Sequence, residues 1–214
     1  MNTKKKAIQL VAEMCRIEGI RKVVFSPGSR SAPLVIAFSQ IPEMECIVIP
    51  DERAAGYFAL GMSQQLRETV ALVSTSGTAV LNLSPAVCGA FSPPVSLLVI
   101  TADRHKSAER IGENQAIIQN DIFGSFACCN QIDGDANTKD ELIEVMDSTL
   151  RAIQQTRLIE NEPSQLNIRL SEPLYETTNN VTPVPALPEI LYNKNFVIDL
   201  INTRKIKKRF TALE

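Results

Sequence analysis

The chain is 214 residues long, and its 44% hydrophobic and 21% charged residues are ordinary usage for a folded globular protein. This composition excludes disordered and fibrous classes, and the length suits one large domain or one domain with an appendage. With 22 basic and 24 acidic residues the net charge is −2, so neither a nucleic acid nor a membrane surface is indicated as a partner.

The first predicted element is an amphipathic helix. Apolar residues recur at helical spacing at Ile8, Leu10, Val11, Met14 and Cys15. Gly19 then stands where a glycine commonly ends a helix. The chain is therefore expected to enter its first strand from a helix.

Three units of strand, loop and helix follow. Their strands are predicted at 23–25, 46–49 and 70–74, and their helices near 33–39, up to Gln65 and toward Phe91. A fourth apolar strand is predicted at 95–100. These strands are continuous apolar runs, which are typical of a parallel sheet whose two faces are both covered.

The pattern weakens between Asp103 and Asp133, before a predicted helix at 139–159 and a predicted strand at 166–170. The fold class is therefore α/β, with a mostly parallel sheet of about six strands and helices on both faces. From Thr177, prolines and asparagines predict an extended linker. We expect one domain at 1–178, followed at 179–214 by the linker and the start of another domain.

The cellular compartment is indicated by what the sequence does not contain. No apolar run is long enough to cross a membrane, and the first residues do not form a signal-peptide core. Five cysteines without a C-x-x-C pair favour neither a disulfide framework nor a zinc site. These features predict a cytoplasmic protein.

The loops after the strands carry most of the unusual residues, and ligands of open parallel sheets bind at these ends. In the first loop, Ser29, Arg30 and Ser31 offer hydroxyls, backbone N–H groups and a guanidinium, which can hold a carboxylate or a phosphate. The same residues also suit a capped helix with a solvent-facing arginine.

The next two loops begin helices. Asp51 and Glu52 are adjacent, and their side chains point about 100° apart, so at most one of them faces a site. Acidic residues also favour this place through the helix dipole alone. The loop 75–79 is small and polar, which suits either a ligand that approaches backbone N–H groups or close packing at a helix start.

Two further pairs lie at the same end of the predicted sheet. Asp103 and Arg104 follow the fourth strand, and Asn114 and Gln115 lie in the next connection. The loops together offer hydroxyls, two arginines, one carboxylate and an amide. This combination predicts a site for a polar, anionic small molecule.

Three familiar motifs are absent or weak. No two of the nine glycines lie two apart, which excludes the G-x-G-x-x-G dinucleotide motif. Gly56 and Gly61 have P-loop spacing, but Met62 occupies the lysine position. His105 is the only histidine and has no nucleophile motif beside it, which favours a structural role.

Ordered motifs along the chain carry a resemblance to a known family. They are SPGSRS (26–31), DERAAGYFALG (51–61), TSGTAVLNLSPAV (75–87), TADR (101–104), ENQAI (113–117) and LNIRLSEPLY (166–175). In this order they resemble the 2-succinyl-5-enolpyruvyl-6-hydroxy-3-cyclohexene-1-carboxylate synthases, the MenD family of thiamine diphosphate enzymes. The resemblance covers nearly all of 1–180 but less than half of the family's chain.

The resemblance implies a fold and an activity. Residues 1–178 look like the pyrimidine-binding domain of such an enzyme. The family is a transferase of menaquinone biosynthesis that decarboxylates 2-oxoglutarate and adds the resulting four-carbon carbanion to isochorismate. It uses thiamine diphosphate and Mg²⁺ and forms homodimers or higher homo-oligomers. The magnesium ligands of the family lie in another domain, so the resemblance predicts no metal ligand here and an inactive isolated chain.

The resemblance also implies roles for individual residues. Glu52 matches the glutamate that hydrogen-bonds N1′ of the aminopyrimidine, and Gln115 matches a second catalytic position. The cofactor-binding positions are Thr75, Ser76, Gly77 and Thr78. The positions on the isochorismate side are Ser29, Arg30, Arg104, Asn114 and Gln115.

Some features depart from the family pattern, and two alternatives stay open. His105 stands where the family commonly has a proline, and Gly134 and Asp135 resemble the family's metal motif only superficially. One alternative is another thiamine diphosphate decarboxylase or carboligase, which would not need the two arginines together. The other is a non-catalytic assembly module.

Overall fold

A computed structural model describes residues 1–105, 116–157 and 162–185 of the chain. The helices are α1 (Lys6–Ile17), α2 (Ala32–Ser39), α3 (Glu52–Leu66), α4 (Thr78–Asn82), α5 (Ser84–Phe91) and α6 (Lys139–Gln155). The strands are β1 (Asn2–Thr3), β2 (Lys22–Phe25), β3 (Glu45–Val48), β4 (Val70–Ser74), β5 (Leu97–Arg104), β6 (Cys128–Asp133), β7 (Ser164–Leu170) and β8 (Thr177–Thr178). No helix in these described ranges is both long enough and apolar enough to cross a bilayer.

Six strands form one parallel sheet, in the order β3-β2-β4-β5-β7-β6. The predicted α/β fold with about six mostly parallel strands is confirmed. The chain passes from β2 outward to β3 and then returns past β2 to β4. Strand order therefore reverses between β2 and β4, which opens a crevice at the ends of these two strands.

Helices pack on the sheet in two groups. The first contains α1, α2 and α6, and the second contains α3, α4 and α5. Val24, Leu72 and Val99 belong to the buried cluster under the second group. Neighbouring residues of a strand point to opposite faces, so Phe25 faces away from the side of Val24. It packs edge-to-face on Phe38 of α2, with ring centroids 6.0 Å apart. Both faces of the central strands are buried, which explains their continuous apolar sequence.

The weak pattern between Asp103 and Asp133 contains a strand that sequence analysis missed. β6 is an edge strand with the sequence CCNQID, and only Ile132 in it is fully buried. An edge strand of this kind lacks the apolar run of a central strand. The other edge strand, β3, is likewise largely exposed.

The fourth strand also differs from its prediction. β5 begins at Leu97 and continues to Arg104, so Asp103 and Arg104 are its last residues and do not follow it. Asp103 pairs in register with Arg169 of β7. The predicted strand ends where the apolar run ends, at Ile100. The observed strand continues through the polar residues because they still pair with β7.

The helix predicted toward Phe91 is divided into α4 and α5 at Leu83. Pro85 lies in the first turn of α5, where the missing N–H of proline is tolerated. By contrast α6 begins with a capping box, in which Thr138 and Glu141 each accept a backbone N–H. The predicted start of α6 at Lys139 is confirmed.

The beginning of the chain pairs with the predicted linker. Asn2 and Thr3 lie antiparallel to Thr178 and Thr177 in a two-stranded ribbon. The buried Gln9 side chain donates to Thr3 O (2.6 Å) and accepts the backbone N–H of Thr182 (2.7 Å). The segment from Thr177 is thus attached to α1, and contacts group Met1–Val184 into one compact unit.

An ion pair joins three segments beside this ribbon. Lys5 donates to the carboxylate of Asp135 and to Ser171 O (2.9 Å), and the Ser171 N–H donates to Asp135 (2.8 Å). Partial burial of Asp135 acts to raise its pKa, but the hydrogen bonds from Lys5 and Ser171 outweigh it and hold the pKa below the ordinary value. The pair therefore stabilises the folded state.

We expect Asp135→Asn to lower the free energy of unfolding at pH 7 by about 1 kcal/mol. Because the folded pKa is depressed, the contribution of the wild-type carboxylate is complete above its unfolded pKa. It disappears as pH falls through the lower folded pKa. Urea unfolding between pH 7 and pH 2 should show the difference from wild type shrinking below about pH 4. A pH-independent difference, or an equal effect of the exposed Asp140→Asn, would contradict this account.

Candidate functional site

The loop after β2 is the centre of the candidate site because it contacts the ends of three other strands. Ser26 Oγ donates to Pro50 O (3.2 Å), just before α3. Gly28 lies against Thr75, after β4, and Arg30 donates to Leu170 O (3.0 Å) at the end of β7. The carboxyl ends of parallel strands lie at one edge of the sheet, and these contacts join the loops at that edge.

The approach of Gly28 to Thr75 leaves no room for a side chain. A Cβ added to Gly28 would lie 2.4–2.5 Å from three side-chain atoms of Thr75. The backbone of the first loop therefore packs directly on the Thr75 side chain of the second loop. Glycine is required here by close packing between loops.

We expect Gly28→Ala to destabilise the fold by about 1–3 kcal/mol, because the new methyl group forces the two loops apart. Gly61→Ala is the matched control, since Gly61 lies inside α3 with nothing within 4 Å of an added Cβ. Alanine is the better helix former, so this control should be neutral or stabilising by up to about 1 kcal/mol. Thermal or urea unfolding of both variants tests the difference in sign.

The two adjacent acidic residues after β3 have separate functions. Asp51 is the N-cap of α3, and its carboxylate accepts the backbone N–H of Ala54 (2.7 Å). Glu52 is the first residue of the helix, is partly exposed and has no hydrogen-bond or ion-pair partner in the described part of the chain. Glu52 is therefore the carboxylate that does not cap the helix, and the expectation that at most one of the two faces a site stays a prediction.

The turn after β4 has a conformation that requires glycine. Gly77 has φ 84° and ψ −144°, and it caps α4 without a side chain. Ser76 and Gly77 are buried, Thr75 is half-buried and Thr78 is exposed. The Gly77 N–H is not free for a ligand, because it donates to Oε1 of Gln119 (2.7 Å).

Arg30 is buried, so the solvent-facing arginine considered for this loop is wrong. Its Nη1 donates to Leu170 O, and its Nη2 lies 3.2 Å from Glu172. Ser31 is also buried, and its hydroxyl exchanges hydrogen bonds with the N–H and C=O of Gly28 instead of capping α2. Ser29 is exposed at the same edge.

Arg104 ends β5 at the same edge of the sheet, next to a fixed carboxylate. Asp103 accepts the Arg104 backbone N–H (2.7 Å) through one oxygen and the amide of Asn167 (2.8 Å) through the other. Asn114 and Gln115 lie outside the described residues.

A buried polar network beside the crevice was missed by sequence analysis. Gln119, Thr101, Gln165 and Asn167 are at most 1% exposed and are hydrogen-bonded to one another. Gln165 and Asn167 alternate with Leu166 and Ile168 in the central strand β7, and this is the one sequence feature that indicates such a network, because buried amides need partners. Gln119 has no comparable sequence feature.

The crevice offers one carboxylate acceptor and two hydroxyls, which are groups that can bind a small nitrogen heterocycle. One unused carboxylate can accept a ring or amino N–H, and the hydroxyls of Thr75 and Thr78 lie on the adjacent turn. Within residues 1–105, 116–157 and 162–185, no three His, Cys, Asp or Glu side chains are grouped to hold a metal ion. Asp135 of the superficial metal motif is instead paired with Lys5.

A separate pocket opens at the opposite edge of the sheet, with a volume of about 590 Å³. Ser63, Arg67 and Arg157 are among the residues that line it, beside the beginnings of β4 and β5. Ligands of this sheet type bind at the ends of strands, so we do not assign the candidate site there.

Comparison with known proteins gives one family match and several relatives. The chain matches the family described as thiamine pyrophosphate enzyme, N-terminal TPP binding domain, over residues 5–124. A protein of Flavobacterium johnsoniae named 2-succinyl-5-enolpyruvyl-6-hydroxy-3-cyclohexene-1-carboxylate synthase is 35% identical over 207 residues, covering 93% of this chain and 36% of that protein. A protein of the same name from Synechococcus elongatus is 42% identical over 190 residues, covering 86% and 31%. The chain thus spans about a third of the length of these curated relatives.

Proposed function

Since the chain belongs to the thiamine pyrophosphate enzyme family, in which it matches the N-terminal TPP binding domain, we propose that it is the pyrimidine-binding domain of a 2-succinyl-5-enolpyruvyl-6-hydroxy-3-cyclohexene-1-carboxylate synthase. The observation that carries the proposal is Glu52, an unused carboxylate at the start of α3, beside the crevice where strand order reverses. In this proposal residues 1–178 form the domain, and 179–214 form the linker and the start of a central domain.

The proposed reaction is a transfer that joins two small anions. It decarboxylates 2-oxoglutarate and adds the remaining four-carbon unit to isochorismate. When bound, thiamine diphosphate supplies the carbon nucleophile for this addition. Mg²⁺ and the diphosphate group need ligands that the described residues do not offer. As the resemblance implies, we assign those ligands to another domain of the enzyme, on the C-terminal side of this one.

The proposed task of Glu52 is to hold a proton at N1′ of the aminopyrimidine. Asp51 satisfies the helix N-terminus, so the Glu52 carboxylate keeps its acceptor oxygens for the ligand. The turn of Thr75, Ser76, Gly77 and Thr78 forms the opposite side of the crevice and excludes water from the ring. Gly28 lets the loop after β2 pack directly on the Thr75 side chain.

The proposed acceptor side contains the cationic residues of the edge. Arg30 and Arg104 suit the carboxylates of isochorismate, since a planar guanidinium pairs with a carboxylate through two hydrogen bonds. Ser29 offers an exposed hydroxyl in the same loop as Arg30. We also propose that Asn114 and Gln115 bind isochorismate and that Gln115 has a catalytic role as well.

We also propose a cytoplasmic homodimer or higher homo-oligomer. Tyr57 and Phe58 of α3 and Leu81 of α4 are each about half exposed, at 52%, 46% and 48%. Large apolar side chains on adjacent helices are typical of a surface that a partner covers.

A chimera tests the proposal. Residues 1–178 of this chain replace the matching segment of the Flavobacterium johnsoniae protein, and product formation from 2-oxoglutarate and isochorismate is measured with thiamine diphosphate and Mg²⁺. We expect turnover by the chimera and none by the isolated 214-residue chain, which should also lack tight, magnesium-dependent cofactor binding in calorimetry.

Two results would contradict the proposal. A folded, cofactor-loaded chimera that forms no product, or that accepts only a different second substrate, would favour another enzyme of the family. Tight magnesium-dependent binding by the isolated chain would show that the metal ligands lie within it.

A further inference from the structure

We propose that Gln119 is a positioning residue that holds the cofactor-facing turn at Gly77 and, through Asn167, holds the end of β5 that presents Arg104. This inference rests on the proposed function for its consequence, whereas its geometry stands on the contacts alone. Gln119 is 1% exposed, and the segment that carries it lies outside the regular elements.

The Gln119 amide has a donor and acceptor pattern that only one orientation satisfies. Its Oε1 accepts the Gly77 N–H (2.7 Å), and its Nε2 donates to Ala102 O (3.1 Å). A backbone N–H can only donate and a backbone carbonyl can only accept, so the orientation of the amide is fixed. No other uncharged side chain of this length offers an acceptor and a donor at these places.

The turn that the amide holds has a conformation that depends on glycine. Gly77 is the N-cap of α4 and adopts a positive φ, and its N–H donates to Gln119. A buried N–H without a partner is unfavourable, and this would favour other conformations of the turn. Gln119 removes that cost and so selects one conformation of the residues between β4 and α4.

The same amide is also connected to Arg104, on the proposed isochorismate side of the site. Nε2 of Gln119 also donates to Oδ1 of Asn167 (3.2 Å), and Nδ2 of Asn167 donates to Asp103 (2.8 Å). Asp103 in turn accepts the Arg104 N–H. The amides of Gln119 and Asn167 and the carboxylate of Asp103 therefore form one continuous buried chain from the turn at Gly77 to the backbone of Arg104.

The alternative is a glutamine that merely fills the core, and Gln9 provides the comparison. Gln9 is 5% exposed and its amide also accepts one backbone N–H, from Thr182, and donates to backbone carbonyls of Thr3 and Asn180. It lies at the ribbon and contacts none of the loops of the crevice. Gln119→Met and Gln9→Met therefore remove equivalent hydrogen bonds at two different places.

The first measurement is hydrogen exchange of the Gly77 amide in the 214-residue chain, followed by NMR. We expect Gln119→Met to accelerate this exchange at least 10-fold beyond any change in global stability, while Gln9→Met leaves it unchanged. Gln119→Glu keeps an acceptor for the Gly77 N–H and should retain more protection than Gln119→Met. Unchanged Gly77 exchange in both Gln119 variants would overturn the proposal.

The second measurement uses the active chimera and separates positioning from folding. We expect Gln119→Met to raise the thiamine diphosphate concentration needed for half-maximal activity, and the KM for isochorismate, each by at least 5-fold. Gln9→Met should change neither. Equal effects of the two variants would overturn the positioning role.

An inactive wild-type chimera would contradict the proposed function. The amide exchange of Gly77, measured in the 214-residue chain, would then still test whether Gln119 holds the turn. If Gln119→Met does not fold, Gln119→Glu decides both measurements, since loss of its amide donor should raise the KM for isochorismate more than the cofactor requirement.

Discussion

Glu52→Gln in the active chimera is expected to reduce turnover by at least about 100-fold, within the range for loss of a group that exchanges protons with a reacting system. The glutamine amide has the same shape and can still contact N1′ of the aminopyrimidine. It cannot share a proton with the ring nitrogen or supply the compensating negative charge. Exchange of the cofactor's C2 proton for deuterium, measured by NMR, should fall in parallel with turnover.

Asp51→Asn is the matched control for this variant. Asparagine caps helices about as well as aspartate, so the hydrogen bond to Ala54 should survive while the adjacent charge is lost. We expect activity within about 5-fold of wild type. If Glu52→Gln keeps near-normal C2 exchange, or if both variants lose activity equally, the carboxylate at Glu52 acts only on the helix.

Arg30→Ala in the same chimera is expected to lower kcat/KM for isochorismate by roughly 30- to 1000-fold, which corresponds to the loss of about 2–4 kcal/mol from a partly desolvated ion pair. Consumption of 2-oxoglutarate with an artificial electron acceptor should decline far less. The reason is the proposed division of tasks, in which Arg30 binds the acceptor after the decarboxylation. Both rates are measured on one preparation whose cofactor content has been verified.

The buried contacts of Arg30 require a second variant, because its loss also frees Leu170 O and Glu172. Glu172→Gln removes the ion pair and leaves the guanidinium in place. Since Glu172 is 67% exposed, we expect this variant to lose less than about 1 kcal/mol of stability and little activity. Equal losses in the two half-reactions of Arg30→Ala, or the same acceptor defect in Glu172→Gln, would assign Arg30 to the structure of the loop.

The elements that sequence analysis predicted well are those set by local patterns. β2, β4 and β5 are covered on both faces, so their apolar runs are continuous and visible in the sequence. α6 carries both an amphipathic pattern and a capping box. β6 was missed because an edge strand of polar residues takes its conformation from pairing with β7 and not from its own composition.

The candidate site was predictable as a set of loops but not as a set of contacts. Topology alone brings the strand ends to one edge, and the position of Glu52 follows from the helix start. The burial of Arg30 depends on the carbonyl of Leu170, and the bond from Gly77 depends on Gln119, which are partners far away in the sequence. Single residues of this kind have no local pattern from which their partners can be inferred.

The ribbon of β1 and β8 brings two positions that are far apart in the sequence next to each other. Asn2 and Thr178 are register partners, so the beginning of the unit lies about one strand spacing, roughly 5 Å, from a residue close to its other end. A unit whose ends adjoin can be inserted into another polypeptide, or opened elsewhere and rejoined, with little disturbance of its core. We therefore expect circular permutants that join Val184 to Met1 through a short glycine linker, and so keep the Thr182 N–H bond to Gln9, to fold and to unfold cooperatively in urea.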